Sequence, residues 1–162
     1  YLIGASRNDI NASEYLASWH NVRQSPVPYF HMEEELDMQQ TVSQLIGAEL
    51  VNSAHDVSDG GLFTTLAESG FVNNLGFTIS TDEDFRKDAF LFGEAQGRVV
   101  VSIAPGKQEE FVEFMAMGEV PFSLLGTVTT GEVWVDDEFW GSLSEFAEGY
   151  DSALGKIMDQ HV

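Results

Sequence analysis

Ser53-Ala54-His55-Asp56-Val57-Ser58-Asp59-Gly60-Gly61-Leu62-Phe63-Thr64-Thr65-Leu66-Ala67-Glu68 reads as a short extended run, an acidic turn with paired glycines, and a helix that begins at once. Leu62, Leu66 and Ser69 fall on one helical face, with Phe63 and Ala67 beside them. Ser58 or Asp59 can cap this helix, because a side-chain oxygen can accept from its unpaired first N–H groups. Gly60-Gly61 lets a backbone or a ligand come close to the helix start, where no Cβ stands in the way. A strand, a glycine turn and a helix N-terminus together suit an anion. Asp56 and Asp59 alter that reading, since phosphate arrives beside two carboxylates more easily with Mg²⁺ than bare. The alternative is a tight turn with a capping aspartate. Spacing alone leaves both open.

Outward from this stretch, the elements alternate. Leu50 to Ala54 reads as a strand, about Gly60 to Val72 as a helix, Asn73-Asn74 as a stop and Gly76 to Ser80 as a strand. Thr81 to Asp88 is an acidic loop, and Leu91 to Gln96 a short segment leading into a strong strand, Arg98 to Ile103. A helix follows from about Lys107 to Met117, with Phe111, Phe114 and Met115 at core spacing and Met117 as further core filler. Phe122 to Val128 and Glu132 to Val135 are strands around a turn at Thr129 to Gly131. The last helix, roughly Leu143 to Met158, sets Phe146, Tyr150, Leu154 and Ile157 on one face. Upstream, Tyr1 to Ile3 is a short strand, Ser13 caps a short helix to about Trp19, and Asn21 to Tyr29 is extended around Pro26 and Pro28. A helix from about Met32 to Ile46 keeps Met38, Val42, Leu45 and Ile46 on its apolar face, and Gly47 ends it. Its first turn carries Glu33, Glu34 and Glu35, which suit the positive end of a helix dipole. The expected fold class is α/β (α+β): one mixed sheet with a βαββαβ ferredoxin-like core and flanking helices, in a single domain spanning 1–162.

Composition narrows the function. At 162 residues and 43% hydrophobic, the chain can bury a sizeable core. With 27 acidic residues against 7 Lys and Arg, its formal charge of −20 repels nucleic acid and anionic membrane surfaces alike. The absence of cysteine excludes disulfides and thiolate chemistry and is compatible with a cytoplasmic home. No apolar run approaches the roughly 20 residues needed to span a bilayer, and no signal peptide is visible. A chain that opens Tyr1-Leu2-Ile3-Gly4 in mid-strand, without Met, is expected to be a fragment of something longer. His20, His31, His55 and His161 are too scattered for a metal motif, and His55 beside Asp56 reads as an oriented imidazole or a satisfied strand-end histidine.

A second notable stretch is Phe92-Gly93-Glu94-Ala95-Gln96-Gly97-Arg98, which presents an acid, an amide and a base between glycines. Arg98 either pairs with Glu94 or holds an anionic ligand.

His55-Asp56-Val57-Ser58-Asp59-Gly60-Gly61-Leu62, with Ala67-Glu68 after it, resembles the phosphoribosylformylglycinamidine synthase family, in the C-terminal half of its second internal repeat. Phe92 to Arg98 is similar to that family's Glu-Ser-Gln segment, and Tyr1-Leu2-Ile3-Gly4, Ser13-Glu14-Tyr15-Leu16 and Ser25-Pro26-Val27-Pro28 fit its pattern in order. The resemblance implies the fold of the aminoimidazole ribonucleotide synthetase C-terminal domain. It also implies an ATP- and Mg²⁺-using ligase of purine biosynthesis that turns formylglycinamide ribonucleotide and glutamine-derived ammonia into the amidine. Its implied partners are the remaining domains of a parent chain, a glutaminase domain or subunit and the small-molecule substrate. Asp56, Asp59, Gly60 and Gly61 are then expected to face Mg²⁺ or phosphate, with Asp59 the candidate metal contact. Glu94, Gln96 and Arg98 would bond ligand or fix the loop.

Two departures qualify the resemblance. The family writes Gly-Gly-Ser-Glu where this chain has Asn11-Ala12-Ser13-Glu14, which implies a stiffer loop, and Ala95 replaces a serine hydroxyl that could touch substrate. The family's catalytic histidines and principal Mg²⁺ ligands lie in segments absent from this sequence, so the chain alone is expected to be inactive. The alternative is a non-catalytic scaffold supporting the active repeat and the docking of glutaminase.

Overall fold

The structure is a computed structural model that describes residues 1–159, so His161 lies outside the described residues. The chain divides into two compact units, one of residues 1–65 and 81–125, the other of 66–80 and Gly126 onward.

In the first unit, Leu2–Ile3 (β1), Ser53–Asp56 (β2), Val99–Ser102 (β4) and Phe122–Ser123 (β5) form an antiparallel sheet in the order β2-β4-β1-β5. Helices α1 (Met32–Gly47), α3 (Lys87–Phe92) and α4 (Gln108–Ala116) belong to it, as does a π-helical turn at Tyr15–Trp19. Ile3, Val99 and Val101 face Met38 and Leu45 of α1, Leu50, and Phe111 and Met115 of α4 in one buried cluster. The ring of Phe111 lies edge-on to Phe122 at 5.8 Å and tilted against Tyr1 at 4.9 Å. Phe111 is thus the one aromatic among the buried members of a mainly aliphatic cluster, and its ring contacts add to the area it buries.

In the second unit, Phe77–Ile79 (β3), Gly126–Val128 (β6), Glu132–Val135 (β7) and Glu138–Ser142 (β8) form a sheet in the order β6-β3-β7-β8, with β3 and β7 parallel. Helix α5 (Leu143–Asp159) follows β8 directly. Its start carries one half of a capping box, in which Glu145 Oε2 accepts from the Ser142 N–H at 3.0 Å. That bond, with one from the Ser142 side chain, holds the Glu145 carboxyl below its ordinary range. Helix α2 (Gly61–Phe71) begins in the first unit and ends in the second.

The α/β class and the order of elements agree with the sequence, but the single mixed sheet does not form. The βαββαβ strands are shared between two sheets, because the chain's own first strand fills the position beside β4. β3 instead takes β6 and β7 as partners. The run read as one strand, Phe122 to Val128, breaks at Leu124-Leu125 into β5 and β6, one in each sheet. Gly126 marks the crossing: a Cβ there would stand 1.9 Å from the Thr78 carbonyl oxygen. Two elements were not foreseen, the short helix α3 and the strand β8. Met115 is buried as expected, whereas Met117, just past the end of α4, is 81% exposed and fills no core.

Candidate functional site

The sixteen-residue stretch folds as β2, a turn and α2, and its glycines serve the chain itself. Gly61 has φ +72 and lies so close to the 92–93 backbone that a Cβ would sit 2.7 Å from the Phe92 carbonyl carbon and 2.8 Å from the Gly93 oxygen. A Cβ on Gly60, at φ +83, would meet the Thr64 side chain. The expected Ser58 or Asp59 cap gives way to a residue distant in sequence: the Gly60 N–H donates to Glu94 Oε1 at 2.8 Å. The Glu14 N–H donates to the same oxygen, also at 2.8 Å. One carboxylate therefore ties the start of the π-helical turn to the start of α2. Charge-assisted bonds to backbone N–H are among the stronger polar contacts available to a loop. Buried Thr65 completes the joint, its hydroxyl within 3.3 Å of the Asp56 carbonyl oxygen and 3.1 Å of that of Gly61.

Arg98 is turned inward. It is 3% exposed, and its guanidinium donates to the Ala95 oxygen at 3.0 Å and the Gly93 oxygen at 2.6 Å. Burial pulls its pKa down to about 10, against the upward pull of the Asp9 and Glu94 charges. Of the sequence readings for Arg98, loop fixing describes it, since both donor arms hold the 93–95 loop, whereas no direct bond to Glu94 forms. Ala95 is buried as well, so a serine hydroxyl there would point into the protein.

The exposed members of the set are Asp56, Asp59 and Gln96. They line one cavity of about 420 Å³ with Ser58, Glu35, Glu94 and Arg98. The Asp56 side chain is 77% exposed. The His55 ring is satisfied locally, its Nδ1 donating to the Asp56 carbonyl oxygen at 2.8 Å. All seven sequence-selected residues thus belong to one region: Asp56, Asp59 and Gln96 line the cavity from exposed positions, Glu94 and Arg98 line it from more buried ones, and Gly60 and Gly61 form the turn beside it. Among the described residues no three His, Cys, Asp or Glu side chains are grouped to hold a metal ion. The exposed acids fit one or two carboxylate contacts to a Mg²⁺ carried in by phosphate, which is how Mg²⁺ is commonly held, and not a protein-only cage.

An adjoining cavity of about 320 Å³ shares Glu35, Met38, Gln96 and Gly97 with the first. At its rim Arg7 pairs with Glu34 at 2.7 Å and lies 3.7 Å over the Tyr29 ring. Glu35, read from sequence only as part of a helix-dipole run, reaches inward here. Its Oε1 accepts from Gln39 at 2.6 Å, while its Oε2 is buried with no hydrogen-bond partner. The separations that build this region, 80 residues for Glu14–Glu94 and 34 for Gly60–Glu94, leave no local signal in the sequence.

The Asn11-Ala12 departure has a backbone consequence. Ala12 holds φ +53, a left-handed conformation that glycine adopts without strain. For a residue with a Cβ this costs about 1–2 kcal/mol. Ala12→Gly is expected to raise stability by about 1 kcal/mol, less the entropy a glycine adds to the unfolded chain. A rise of up to about 2 °C in the unfolding midpoint checks it.

The chain is similar to known proteins in sequence and in fold. Residues 1–136 match the family described as AIR synthase related protein, C-terminal domain. Phosphoribosylformylglycinamidine synthase subunit PurL of Alkaliphilus metalliredigens is 35% identical over 132 residues, covering 82% of this chain and 18% of that protein. The chain thus spans under a fifth of the length of the PurL relative. Among solved structures, Thermotoga maritima PurL complexed with FGAR superposes with a TM-score of 0.74 at 17% identity, over 90% of this chain and 27% of PurL. PurL complexed with ATP superposes at 0.66 with 15% identity, over 90% and 25%. At such identities the superpositions speak for the fold alone. The match over residues 1–136 places this chain in the AIR synthase related protein family, as its C-terminal domain.

Proposed function

We propose that this chain works as the C-terminal domain, within the second repeat, of a phosphoribosylformylglycinamidine synthase. It is then one part of a cytoplasmic ATP-dependent carbon–nitrogen ligase of purine biosynthesis, and residues 1–162 act as a single domain of it. The reaction joins formylglycinamide ribonucleotide with ammonia released from glutamine, so a glutaminase domain or subunit and the rest of the parent chain are its partners. The similarity to PurL supports this reading.

One observation carries the site. Residues 56–59 and Glu94, Gln96, Gly97 and Arg98, held together by the Glu94–Gly60 bond, line one cavity that Asp56, Asp59 and Gln96 face from exposed positions. When Mg²⁺-nucleotide is bound, the ion supplies neutralisation of phosphate charge. Asp56 and Asp59 hold the cation's side of such a ligand and Gln96 offers an amide to its polar groups. Glu94 and Arg98 keep the two loops in place around it. The family's catalytic histidines and principal Mg²⁺ ligands belong to segments outside this sequence, so the chain alone is expected to be inactive.

Asp59→Ala, placed in the full-length parent enzyme, tests this. Folding is expected to stay within about 0.5 kcal/mol of wild type, as for other exposed positions. Activity is expected to fall about tenfold or more, the loss of one charge-assisted contact. Unchanged kinetics would return Asp59 to the surface.

A second reading is favoured by the inward commitment of Gly61, Glu94 and Arg98. In it the domain is a degenerate repeat that supports the active one and docks glutaminase. Deleting the domain then abolishes assembly, while changes at Asp59 or Gln96 do little.

A further inference from the structure

Asp59-Gly60 is the one place in the sequence where Asp or Asn stands before glycine. Such a pair can close on itself. The glycine amide nitrogen attacks the aspartyl Cγ, and the missing glycine Cβ lets it approach. An N–Cγ bond forms, the Cγ–OH bond breaks, and the amide proton leaves with that hydroxyl as water. The product is a five-membered cyclic imide, to which water adds back. Opening at the side-chain carbonyl restores aspartate, whereas opening at the main-chain carbonyl gives isoaspartate. Water is the only co-reactant.

Two features of this turn act on the reaction in opposite directions. Asp59 is exposed, and among the described residues its carboxyl has no hydrogen bond or ion pair, so it is free to swing onto the next peptide. Gly60 is held. Its N–H donates to Glu94 Oε1 at 2.8 Å, and its carbonyl oxygen accepts from the Thr64 hydroxyl at 3.1 Å. One residue on, the Gly61 N–H donates to the Ser58 oxygen at 3.0 Å and closes the turn. To attack, the Gly60 nitrogen must turn toward Cγ and shed its proton. The Glu94 carboxylate opposes both, since its bond to that N–H is charge-assisted and its negative charge disfavours an amide anion. The same oxygen already accepts from the Glu14 N–H, which leaves it a weak base. Isoaspartate would lengthen the main chain by a methylene at this point. Gly61 has no room to absorb it, as even a Cβ there would stand 2.7 Å from the Phe92 carbonyl carbon.

We propose that Asp59–Gly60 is a site of spontaneous isoaspartate formation, restrained by Glu94 through its hold on the Gly60 N–H. This stands apart from the nucleotide reading, because it needs no ligand. The test incubates the chain well below its unfolding midpoint and follows isoaspartate at position 59. Peptide mapping with endoproteinase Asp-N reads it, since that enzyme cleaves before aspartate and not before isoaspartate. Glu94→Ala is expected to accumulate isoaspartate about tenfold faster than wild type, the rate equivalent of about 1.4 kcal/mol for one charge-assisted bond. Glu94→Gln keeps an acceptor without the charge and should fall between. A synthetic peptide of residues 53–66 gives the rate of the unheld chain, and wild type should lie well below it. Glu94→Ala also loses the Glu14 contact, so thermal unfolding checks that each variant is folded during incubation. If the Ala form is unfolded, Glu94→Gln against wild type decides. Equal rates in wild type and the folded variants, or a wild-type rate equal to that of the peptide, would overturn the proposal. A slower rate in the variants would overturn it by making Glu94 the base.

Discussion

Gly61→Ala is expected to lower the stability of this chain by about 3 kcal/mol or more, summing a left-handed backbone strained by a Cβ with overpacking in a closed space. The added methyl group would stand 2.7–2.8 Å from three backbone atoms of Phe92 and Gly93. No flexible side chain is there to yield. Either the start of α2 must retreat from the 92–93 segment or the turn must change its φ of +72. The Glu94–Gly60 bond breaks in either case. For a domain of this size the unfolding midpoint should drop by about 6–12 °C. Asp59→Ala, two residues away, should leave the midpoint unchanged. That contrast separates the two halves of the motif: its glycine accommodates the protein's own backbone, and its aspartates face outward.

Arg98→Met is expected to cost about 3 kcal/mol, because the Ala95 and Gly93 carbonyls lose their donors in a buried place. Two effects oppose each other here. Removing a guanidinium that burial disfavours, with its pKa drawn down to about 10, returns part of the desolvation energy. Against it stand two orphaned carbonyl oxygens and the unbalanced charges of Asp9 and Glu94. Loss of one partner from a buried polar network usually outweighs the gain. Arg98→Lys should fall between, since an ammonium cannot reproduce a planar fork reaching both oxygens. Chemical denaturation of the three forms measures the order. A Met variant as stable as wild type would mean that the desolvation energy returned balances the two lost bonds.

Long helices were legible because their signals are local. α1, α4 and α5 show apolar residues at helical spacing, and α2 begins where the paired glycines end. Pairing was not legible, since strand identity says nothing about which edge a strand finds. Leu2 and Ile3 look like a flanking strand, yet they sit between β4 and β5. α3 spans six residues, too few for a period to show, and β8 carries aromatic residues beside the start of α5 that gave no separate boundary. At the site the relevant residue types could be named in advance, but their direction could not. For Arg98 and Glu94 the sequence leaves ligand binding and loop fixing both open until the two backbone acceptors of the one and the two N–H donors of the other are seen. Glu35 went the other way, a helix-dipole acid that turns out to reach two cavities.

Charge also ties the fold to its surroundings. At −20 the surface repels itself, and the acids of the 56–59 turn sit within that field. A divalent cation accompanying phosphate relieves part of it, whereas a bare phosphate would add to it. The central claim is therefore that the cavity of Asp56, Asp59 and Gln96 receives Mg²⁺-nucleotide. A thermal-shift titration of the chain with Mg²⁺-ADP, at fixed ionic strength, tests it most directly. A saturable rise in midpoint is expected, about 2.7 kcal/mol of stabilisation at a hundredfold excess over the dissociation constant. It should be lost in Asp59→Ala and absent with ADP in EDTA. A flat titration, or one that Asp59→Ala leaves intact, would contradict the claim and leave the cavity to the scaffold.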